Sequence, residues 1–168
     1  FSRIRIGTTL SGNRFSLPVV PDTKLPENLF DFSGKENMNF SVYYNSLKNR
    51  ILLYGECSVN ISHDFSLVQG VSIRPSDRLM LNFLYTGYSP GYHSFHSNGP
   101  GISISDNNET SLLGNFTFEA AKHLFISAGC NFSRFPWVRY RCCSPSSSIR
   151  QELKLSYSPL EDLSVDLI

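Results

Sequence analysis

Histidines and neighbouring acidic residues are the side chains of this chain that could most readily hold a metal. His93 and His96 are three residues apart, and His63 is followed directly by Asp64. Protein zinc sites use such residues, but a structural site takes four ligands, usually as two spaced pairs. A single His-x-x-His pair is therefore weak evidence, and the pattern favours polar loop side chains. We predict no metal site and no cofactor.

The same residues have to be considered for catalysis. The chain has no G-x-S-x-G nucleophile elbow and no H-E-x-x-H helix. His63, Asp64, His93, His96 and Asp106 would nevertheless share one side of the molecule if the long loops meet there. A hydrolase site on that side is the third alternative. We predict no catalytic residue in this chain.

Arginine and aromatic residues are concentrated between positions 134 and 141: Arg134, Trp137, Arg139, Tyr140 and Arg141. Guanidinium groups bind phosphate in a bidentate manner, so this set could contact lipopolysaccharide head groups or another polyanion. Aromatic and arginine side chains also form the girdles that hold a membrane protein at its depth. We favour the girdle and treat these five residues as candidate interfacial or head-group contacts.

The four cysteines do not form a disulfide framework. Cys57 and Cys130 fall at apolar positions of alternating segments, where a thiol behaves as a small hydrophobic group. Cys142 and Cys143 are adjacent, and a bridge between neighbours closes a strained ring. We expect free thiols, or pairing to a group outside the chain, and the state of Cys142 and Cys143 stays open.

Charge and hydropathy exclude two classes of protein. The 168 residues include 15 basic and 14 acidic side chains, for a net charge of +1, so no basic excess indicates nucleic-acid binding. The longest apolar run is far short of the roughly 18 to 20 residues that a membrane-spanning helix needs. Aromatic residues make up 13% of the chain, a composition that favours strands.

Alternation of apolar and polar residues with a period of two is the strongest pattern. It predicts nine strands, at 2–10, 37–46, 49–61, 65–74, 78–88, 109–120, 124–134, 149–158 and from 163 onwards. Most of them are about as long as the 9 to 11 residues of a tilted membrane-spanning strand. One face of the predicted sheet carries Leu53, Val71, Leu81, Phe116, Ile126 and Leu155, and the other carries Asn82, Asn115, Asn131 and Lys154.

Connections between the predicted strands alternate between short and long. Short turns fall at 47–48, 75–77, 121–123 and 159–162, and they alternate with 11–36, 62–64, 87–108 and 135–148, of which only 62–64 is short. Outer-membrane barrels have short periplasmic turns and longer extracellular loops. Connections of two to four residues join antiparallel neighbours, so we predict sequential hairpins.

The predicted fold is therefore all-β, an antiparallel up-and-down meander that forms part of a transmembrane β-barrel of about nine strands. We treat residues 1–168 as a single partial barrel domain with long loops at 11–36, 87–108 and 135–148. Phe1 is no initiator, no signal peptide follows it, and the chain stops inside an alternating run at Ile168. We therefore expect the domain to be truncated at both ends, with unpaired first and last strands.

Two loops carry a resemblance to a known group of proteins. They read YSPGYHSFHSN at 88–98 and FPWVRYR at 135–141, followed by Ser144–Ser147, with Asn108-Glu109-Thr110 at a strand entry. The chain resembles, over residues 37–157, the barrel portion of Bacteroidetes proteins with helix-hairpin-helix repeats ahead of a C-terminal outer-membrane β-barrel. It departs from that pattern at Cys142-Cys143 and Thr110-Ser111. The helix-hairpin-helix part is not in this chain, so no DNA-binding residue carries over.

We therefore expect a segment of an outer-membrane β-barrel that acts as a membrane anchor or conduit, without enzymatic activity. Its expected partners are outer-membrane lipid, with lipopolysaccharide as a further candidate, and the remaining strands of the same full-length protein; no nucleic acid is expected. The alternative is a soluble β-sandwich for adhesion or carbohydrate binding, since alternation alone does not separate the two folds. The third alternative is an outer-membrane barrel hydrolase. Cargo, pore state and total strand number stay open.

Overall fold

All nine predicted strands are present, in one antiparallel sheet. The computed structural model describes residues 3–96, 99–102, 106–160 and 163–167. The strands are β1 (Arg3–Val19), β2 (Gly34–Lys48), β3 (Ile51–Asn60), β4 (Phe65–Ser76), β5 (Leu79–Tyr88), β6 (Glu109–Ala121), β7 (Leu124–Phe135), β8 (Ser146–Leu160) and β9 (Leu163–Leu167). Ser2 and Ile168, at the outer bounds of the first and last predicted strands, lie outside the described residues.

Each strand pairs with its neighbours in chain order, from β1 to β9. The prediction of sequential antiparallel hairpins is therefore confirmed. Among the described residues no pairing joins β1 to β9, so these two strands are the edges of the sheet. The helical content of the described chain is a single 3₁₀ turn, Pro26–Asn28, and no helix there is long and apolar enough to cross a membrane.

Two-residue turns connect the strands at one end of the sheet. Asn49 (φ 53°) and His123 (φ 65°) adopt the left-handed backbone conformation in the β2–β3 and β6–β7 turns. Hairpins need this conformation because its twist matches that of the flanking strands. The residues Glu161 and Asp162 of the predicted turn 159–162 lie outside the described residues. We refer to this end as the turn end and to the opposite one as the loop end.

The long loops are shorter than predicted. β1 continues to Val19 and β2 begins at Gly34, so the loop predicted at 11–36 covers only 20–33. Apolar alternation stops near position 10, but cross-strand pairing continues to Arg14 and Glu36, whose side chains form a 3.4 Å ion pair. The serines at 146–148 likewise pair with β7, and the loop predicted at 135–148 is reduced to 136–145. Backbone pairing defines these extensions of the strands, and the hydropathy pattern of the sequence does not indicate this pairing.

One face of the sheet is apolar along nearly its whole length. Residues directly opposite each other in an antiparallel sheet share a face. The register places Leu53 opposite Val71, Leu81 opposite Phe116 and Ile126 opposite Leu155 on this face. The prediction that these six share one face is confirmed. We refer to it as the apolar face.

The opposite face, the polar face, carries Asn82, Asn115, Asn131 and Lys154, as predicted. Asn82 and Asn115 lie opposite each other and join through a 2.8 Å hydrogen bond. Asn131 pairs with Arg150, and Ser127 pairs with Lys154. The two faces therefore differ in chemistry along the full width from β1 to β8.

Burial in this sheet is the reverse of burial in a water-soluble fold. Only three hydrophobic residues of the described chain are buried, namely Tyr88, Tyr92 and Phe135. The buried polar residues are ten: Asn37, Asn39, Ser41, Ser58, Asn60, Ser66, Thr86, Glu109, Ser111 and Ser133. All ten belong to the polar face near the loop end. Large side chains of the apolar face stay exposed, for example Leu53 at 42% and Leu153 at 66%.

Candidate functional site

The loop between β5 and β6 covers the polar face at the loop end. The Tyr92 hydroxyl lies 2.9 Å from the Ser58 hydroxyl and donates a hydrogen bond to it. The side-chain amides of Asn37 and Asn39 both donate to the His93 carbonyl at 2.9 Å. These bonds connect residues 34 to 56 positions apart in the chain. They hold residues 89–96 as a roof over β2 and β3.

Asp64 fixes the start of this roof. The Ser89 hydroxyl donates to Asp64 Oδ1 at 3.1 Å and accepts the backbone N–H of Phe65 at 3.0 Å. Gly91 passes so close that a Cβ atom there would lie 2.4 Å from Asp64 Oδ2. A larger residue at position 91 would therefore have to displace the Asp64 carboxylate from its contact with Ser89.

A buried carboxylate organises the end of the same loop. Glu109, fully buried, accepts hydrogen bonds from the Ser111 hydroxyl at 2.5 Å and the Ser133 hydroxyl at 3.0 Å. The backbone N–H of Ile102 donates to both of its oxygens, at 2.9 and 3.1 Å. Buried carboxylates are tolerated where such donors replace water. Glu109 thus anchors the loop to β6 and β7.

A chamber of about 330 Å³ lies between the roof and the polar face. Its floor comes from β1 to β5, and its cover comes from six described residues of the loop: Tyr92, Ser94, His96, Gly99, Pro100 and Asp106. Its polar lining consists of hydroxyl, amide, carboxylate and imidazole groups: Thr9, Ser11, Asn39, Ser41, Glu56, Ser58, Ser66, Tyr88, Tyr92, Ser94, His96 and Asp106. Among the described lining residues there is no lysine or arginine.

A second cavity, of about 480 Å³, lies on the polar face of β5 to β8. Three successive polar-face positions of β8 contribute Arg150, Glu152 and Lys154 to its lining, which also includes Asn82, Asn115 and Asn131. This cavity therefore mixes both signs of charge, whereas the described lining of the chamber under the loop has the carboxylates of Glu56 and Asp106 and no lysine or arginine.

The predicted loop-side titratable residues do not converge on one centre. His63 is exposed in the β3–β4 turn, with φ at 67°, while Asp64 bonds Ser89. The His93 ring nitrogen Nε2 lies 2.8 Å from the Phe30 carbonyl oxygen, and His96 lines the chamber. Asp106 accepts the Gly99 N–H at 2.8 Å.

This arrangement lacks the contacts that activate a nucleophile. In residues 3–96, 99–102 and 106–158, no serine hydroxyl is hydrogen-bonded to a histidine ring. Hydrolysis by a serine nucleophile requires that the nucleophile is hydrogen-bonded to a base, and that a third group hydrogen-bonds to the base and orients it. Within the same part of the chain, no three His, Cys, Asp or Glu side chains are grouped closely enough to hold a metal ion.

The five candidate interfacial residues do not form one cluster. Trp137 is directed into the loops: its indole N–H donates to the Pro26 carbonyl at 2.9 Å, and its ring packs edge to face on Phe30 at 5.1 Å. Asn108 bonds both the N–H and the carbonyl of Trp137, at 2.8 and 3.1 Å. Trp137 therefore joins three loops.

Arg139 also turns inward. Its guanidinium lies 3.4 Å from the centre of the buried Phe135 ring, and it donates to the Ser146 hydroxyl at 3.2 Å. Such stacking is the usual cation–π geometry. Arg134, Tyr140 and Arg141 remain exposed, Tyr140 at 75%. Of the five, these three are the ones available to an outside partner.

Rings from three segments form an aromatic cluster at the loop end that the sequence pattern did not reveal. Phe32 lies 5.5 Å from Phe15 and 5.3 Å from Phe95, and Phe15 lies 5.2 Å from Phe95. The His93 ring packs on Phe32 at 6.0 Å. The cluster fixes the tip of β1 against two loops. Its members are too far apart in the chain for any spacing rule to connect them.

The cysteines are free, as expected from their placement. Cys57 and Cys130 lie on the apolar face and are exposed, and Cys143 is exposed in the β7–β8 loop. A hydrogen bond from Ser146, together with the Ser144 backbone and the nearby Arg139 guanidinium, holds the pKa of the Cys142 thiol below its usual value. These contacts favour the thiolate, which is the reactive form of a cysteine.

Most residues of the chamber were not singled out by the sequence. Serine, threonine and asparagine at alternate strand positions indicate only a polar face. The hydroxyls become a lining because a loop folds back over them.

Comparison with known proteins finds no family model, no curated protein and no solved structure that matches this chain.

Proposed function

We propose that this chain is a segment of an outer-membrane β-barrel that serves as a membrane anchor or conduit, with its apolar face in contact with lipid. The observation that carries the proposal is the reversed burial: ten polar residues are buried on one face while the other exposes rows of Leu, Ile, Val and Phe. Such a face is unfavourable in water at roughly 25 cal/mol per Å² of apolar surface. Lipid is the solvent in which it is favourable.

A polar side chain on the apolar face supports the same reading. Gln69 lies opposite Gly55 and Tyr85 on that face. Its Oε1 accepts a 2.6 Å hydrogen bond from the Tyr44 hydroxyl, and its Nε2 donates to the Tyr54 carbonyl at 3.1 Å. A polar group facing hydrocarbon has to find its partners within the protein, and Gln69 has one at each end.

The strand lengths and connections agree with this proposal. β1 to β8 have 10 to 17 residues, at or above the roughly 9 to 11 that a tilted spanning strand needs. The β2–β3, β4–β5 and β6–β7 turns are two residues long, and the opposite end carries the long loops. The resemblance of the loops at 88–98 and 135–141 to a group of outer-membrane barrels points the same way.

A soluble β-sandwich for adhesion or carbohydrate binding is less well supported. A sandwich packs the apolar faces of two sheets against each other about 10 Å apart. The described strands all belong to one sheet, and its apolar face is exposed. The hydrolase alternative has no assembled nucleophile and base among the described residues.

The native cysteines allow a direct test. A variant with Cys142 and Cys143 replaced by serine keeps only Cys57 and Cys130, both exposed on the apolar face. After refolding into phosphatidylcholine vesicles, we expect a water-soluble maleimide to label these thiols more than about tenfold slower than in urea, because a thiolate does not form in hydrocarbon.

The matched control carries Cys57→Ala and Cys130→Ala and keeps the two loop thiols. These should be labelled at similar rates in vesicles and in urea. Equal labelling of Cys57 and Cys130 in both states, from protein that remains monodisperse without detergent, would contradict the membrane assignment and favour a soluble fold.

A further inference from the structure

The chamber under the β5–β6 loop has the dimensions of a ligand site. Its volume of about 330 Å³ is at the lower end of the range of about 300 to 1,000 Å³ typical of small-molecule sites. The wall is held in place by the bonds from Tyr92 to Ser58 and from Asn37 and Asn39 to the His93 carbonyl. A further bond, from the Tyr88 hydroxyl to the Pro100 carbonyl at 3.1 Å, closes its side.

The charges around the chamber favour a positive ligand. Glu56 lies on the floor, on β3, and Asp106 lies on the cover, at the end of the loop. Glu56, Asp106 and Glu109 all lie close enough to the Tyr88 hydroxyl to act on it electrostatically. The described lining includes no lysine or arginine, so an anion in the chamber would face carboxylates of its own sign.

A buried acceptor in the wall points to a ligand that donates hydrogen bonds. Asn39 is only 5% exposed, and its Oδ1 has no hydrogen-bond partner among the described residues. The orientation of this amide is set by its Nδ2, which donates to the His93 carbonyl; the reverse orientation would place two acceptors together. A buried acceptor without a donor is unfavourable by about 1 to 3 kcal/mol.

The dispersed arrangement of acceptors distinguishes an organic ammonium from a metal ion. A divalent cation needs several carboxylates or imidazoles around one point, and no such group of three exists in the described part of the chain. An ammonium group donates three hydrogen bonds in separate directions. Carboxylates on the floor and the cover, with hydroxyls between them, suit a molecule with a positive charge at each end.

We propose that this chamber binds a small organic cation of the aliphatic diamine type, with its ammonium groups against Glu56 and Asp106 and a donor toward Asn39. The site does not depend on the membrane assignment, because its test is made in detergent solution and the thiol test is made in vesicles. A negative result in one of these two tests therefore does not contradict the proposal that the other one tests.

The test is isothermal titration of the detergent-solubilised chain with putrescine at pH 8 and about 10 mM salt, where exposed ion pairs are least screened. We expect one saturable site. Glu56→Gln and Asp106→Asn should each weaken binding by about threefold to fivefold, as expected for loss of one solvent-screened ion pair. Circular dichroism establishes the native sheet content of each variant first.

Two controls make the result specific. Glu152→Gln removes a carboxylate from the second cavity on the same face and should leave the affinity unchanged. Butane-1,4-diol has the length of putrescine without its charges and should not bind. The proposal is overturned if putrescine gives no saturable heat, if the diol binds equally well, or if Glu152→Gln weakens binding as much as Glu56→Gln.

Discussion

The Tyr92 hydroxyl donates a 2.9 Å hydrogen bond to the Ser58 hydroxyl, and this contact attaches the β5–β6 loop to the polar face of β3. Both residues are buried. Tyr92→Phe removes the donor of this hydrogen bond, which should destabilise the closed position of the loop by about 1 kcal/mol. We expect the loop to open several times more often, measured as faster protease cleavage within residues 89–108.

Tyr140→Phe is the matched control, because Tyr140 is 75% exposed and lies in a different loop, between β7 and β8. Its cleavage rate should equal that of the unmodified chain. If the protease cleaves the Tyr92→Phe variant no faster than the Tyr140→Phe variant, the hydroxyl contact does not hold the roof in place.

Glu109 is expected to be the most sensitive single position at the loop end. Glu109→Ala would leave the Ser111 hydroxyl and the Ile102 N–H without their acceptor, and the Ser133 hydroxyl would lose one of its acceptors. We expect a loss of about 2 to 4 kcal/mol in the free energy of unfolding, and about half of that for Glu109→Gln, which keeps an acceptor oxygen. Urea unfolding from vesicles measures both. Glu119→Ala, at the turn end of the same strand, should change stability by less than about 0.5 kcal/mol.

Neighbouring residues of β6 test which face meets lipid. Phe116 lies on the apolar face and is 39% exposed, and Asn115 points to the polar face, where it bonds Asn82. Arginine in contact with the hydrocarbon core destabilises a barrel by about 2 to 4 kcal/mol, whereas a lumen position tolerates charge. Phe116→Arg should therefore reduce stability by that amount, measured by unfolding from vesicles, and Asn115→Arg by about 1 kcal/mol or less.

The opposite outcome has a defined meaning. If Phe116→Arg folds into vesicles normally while Asn115→Arg does not, the polar face is the one that needs an apolar or tightly packed environment. A second pair, Ile126→Arg and Asn131→Arg on β7, repeats the comparison on the adjacent strand.

The lowered pKa of Cys142 predicts a pH dependence of alkylation. In a background with Cys57, Cys130 and Cys143 replaced by alanine, the rate of reaction with iodoacetamide should rise through an inflection below the usual thiol range. The reason is that hydrogen bonds from Ser146, from the Ser144 backbone and from Arg139, together with the charge of Arg139, favour the thiolate. Adding Ser146→Ala removes the principal cause and should move the inflection to higher pH.

At high pH, where either variant is fully ionised, the two alkylation rates should converge. Identical profiles over the whole pH range would mean that Ser146 does not stabilise the Cys142 thiolate. Since Arg139 donates to Ser146 at 3.2 Å, Arg139→Gln should shift the inflection in the same direction as Ser146→Ala.

Sequence by itself determined the strands, their order and the chemistry of each face. A period of two assigns every residue of a strand to a face without reference to any other strand, which is why Ile126 and Asn131 could be placed correctly. Two-residue connections allow only antiparallel neighbours, so the β2–β3, β4–β5 and β6–β7 hairpins also followed from local information, whereas pairing across the long loops did not. The prediction was less accurate where hydropathy carries no signal, as in the extension of β1 to Val19.

Tertiary structure alone decided which polar groups are buried and what the loops do. The amide of Asn37 meets a carbonyl 56 positions away, and the Trp137 indole meets one 111 positions away. Such pairings depend on how a loop folds back over the sheet, and no periodicity or spacing rule encodes that path. The same folding set Trp137 against the Phe30 ring and the Pro26 carbonyl, and Arg139 against the Phe135 ring and the Ser146 hydroxyl, and no spacing in the sequence indicates these contacts.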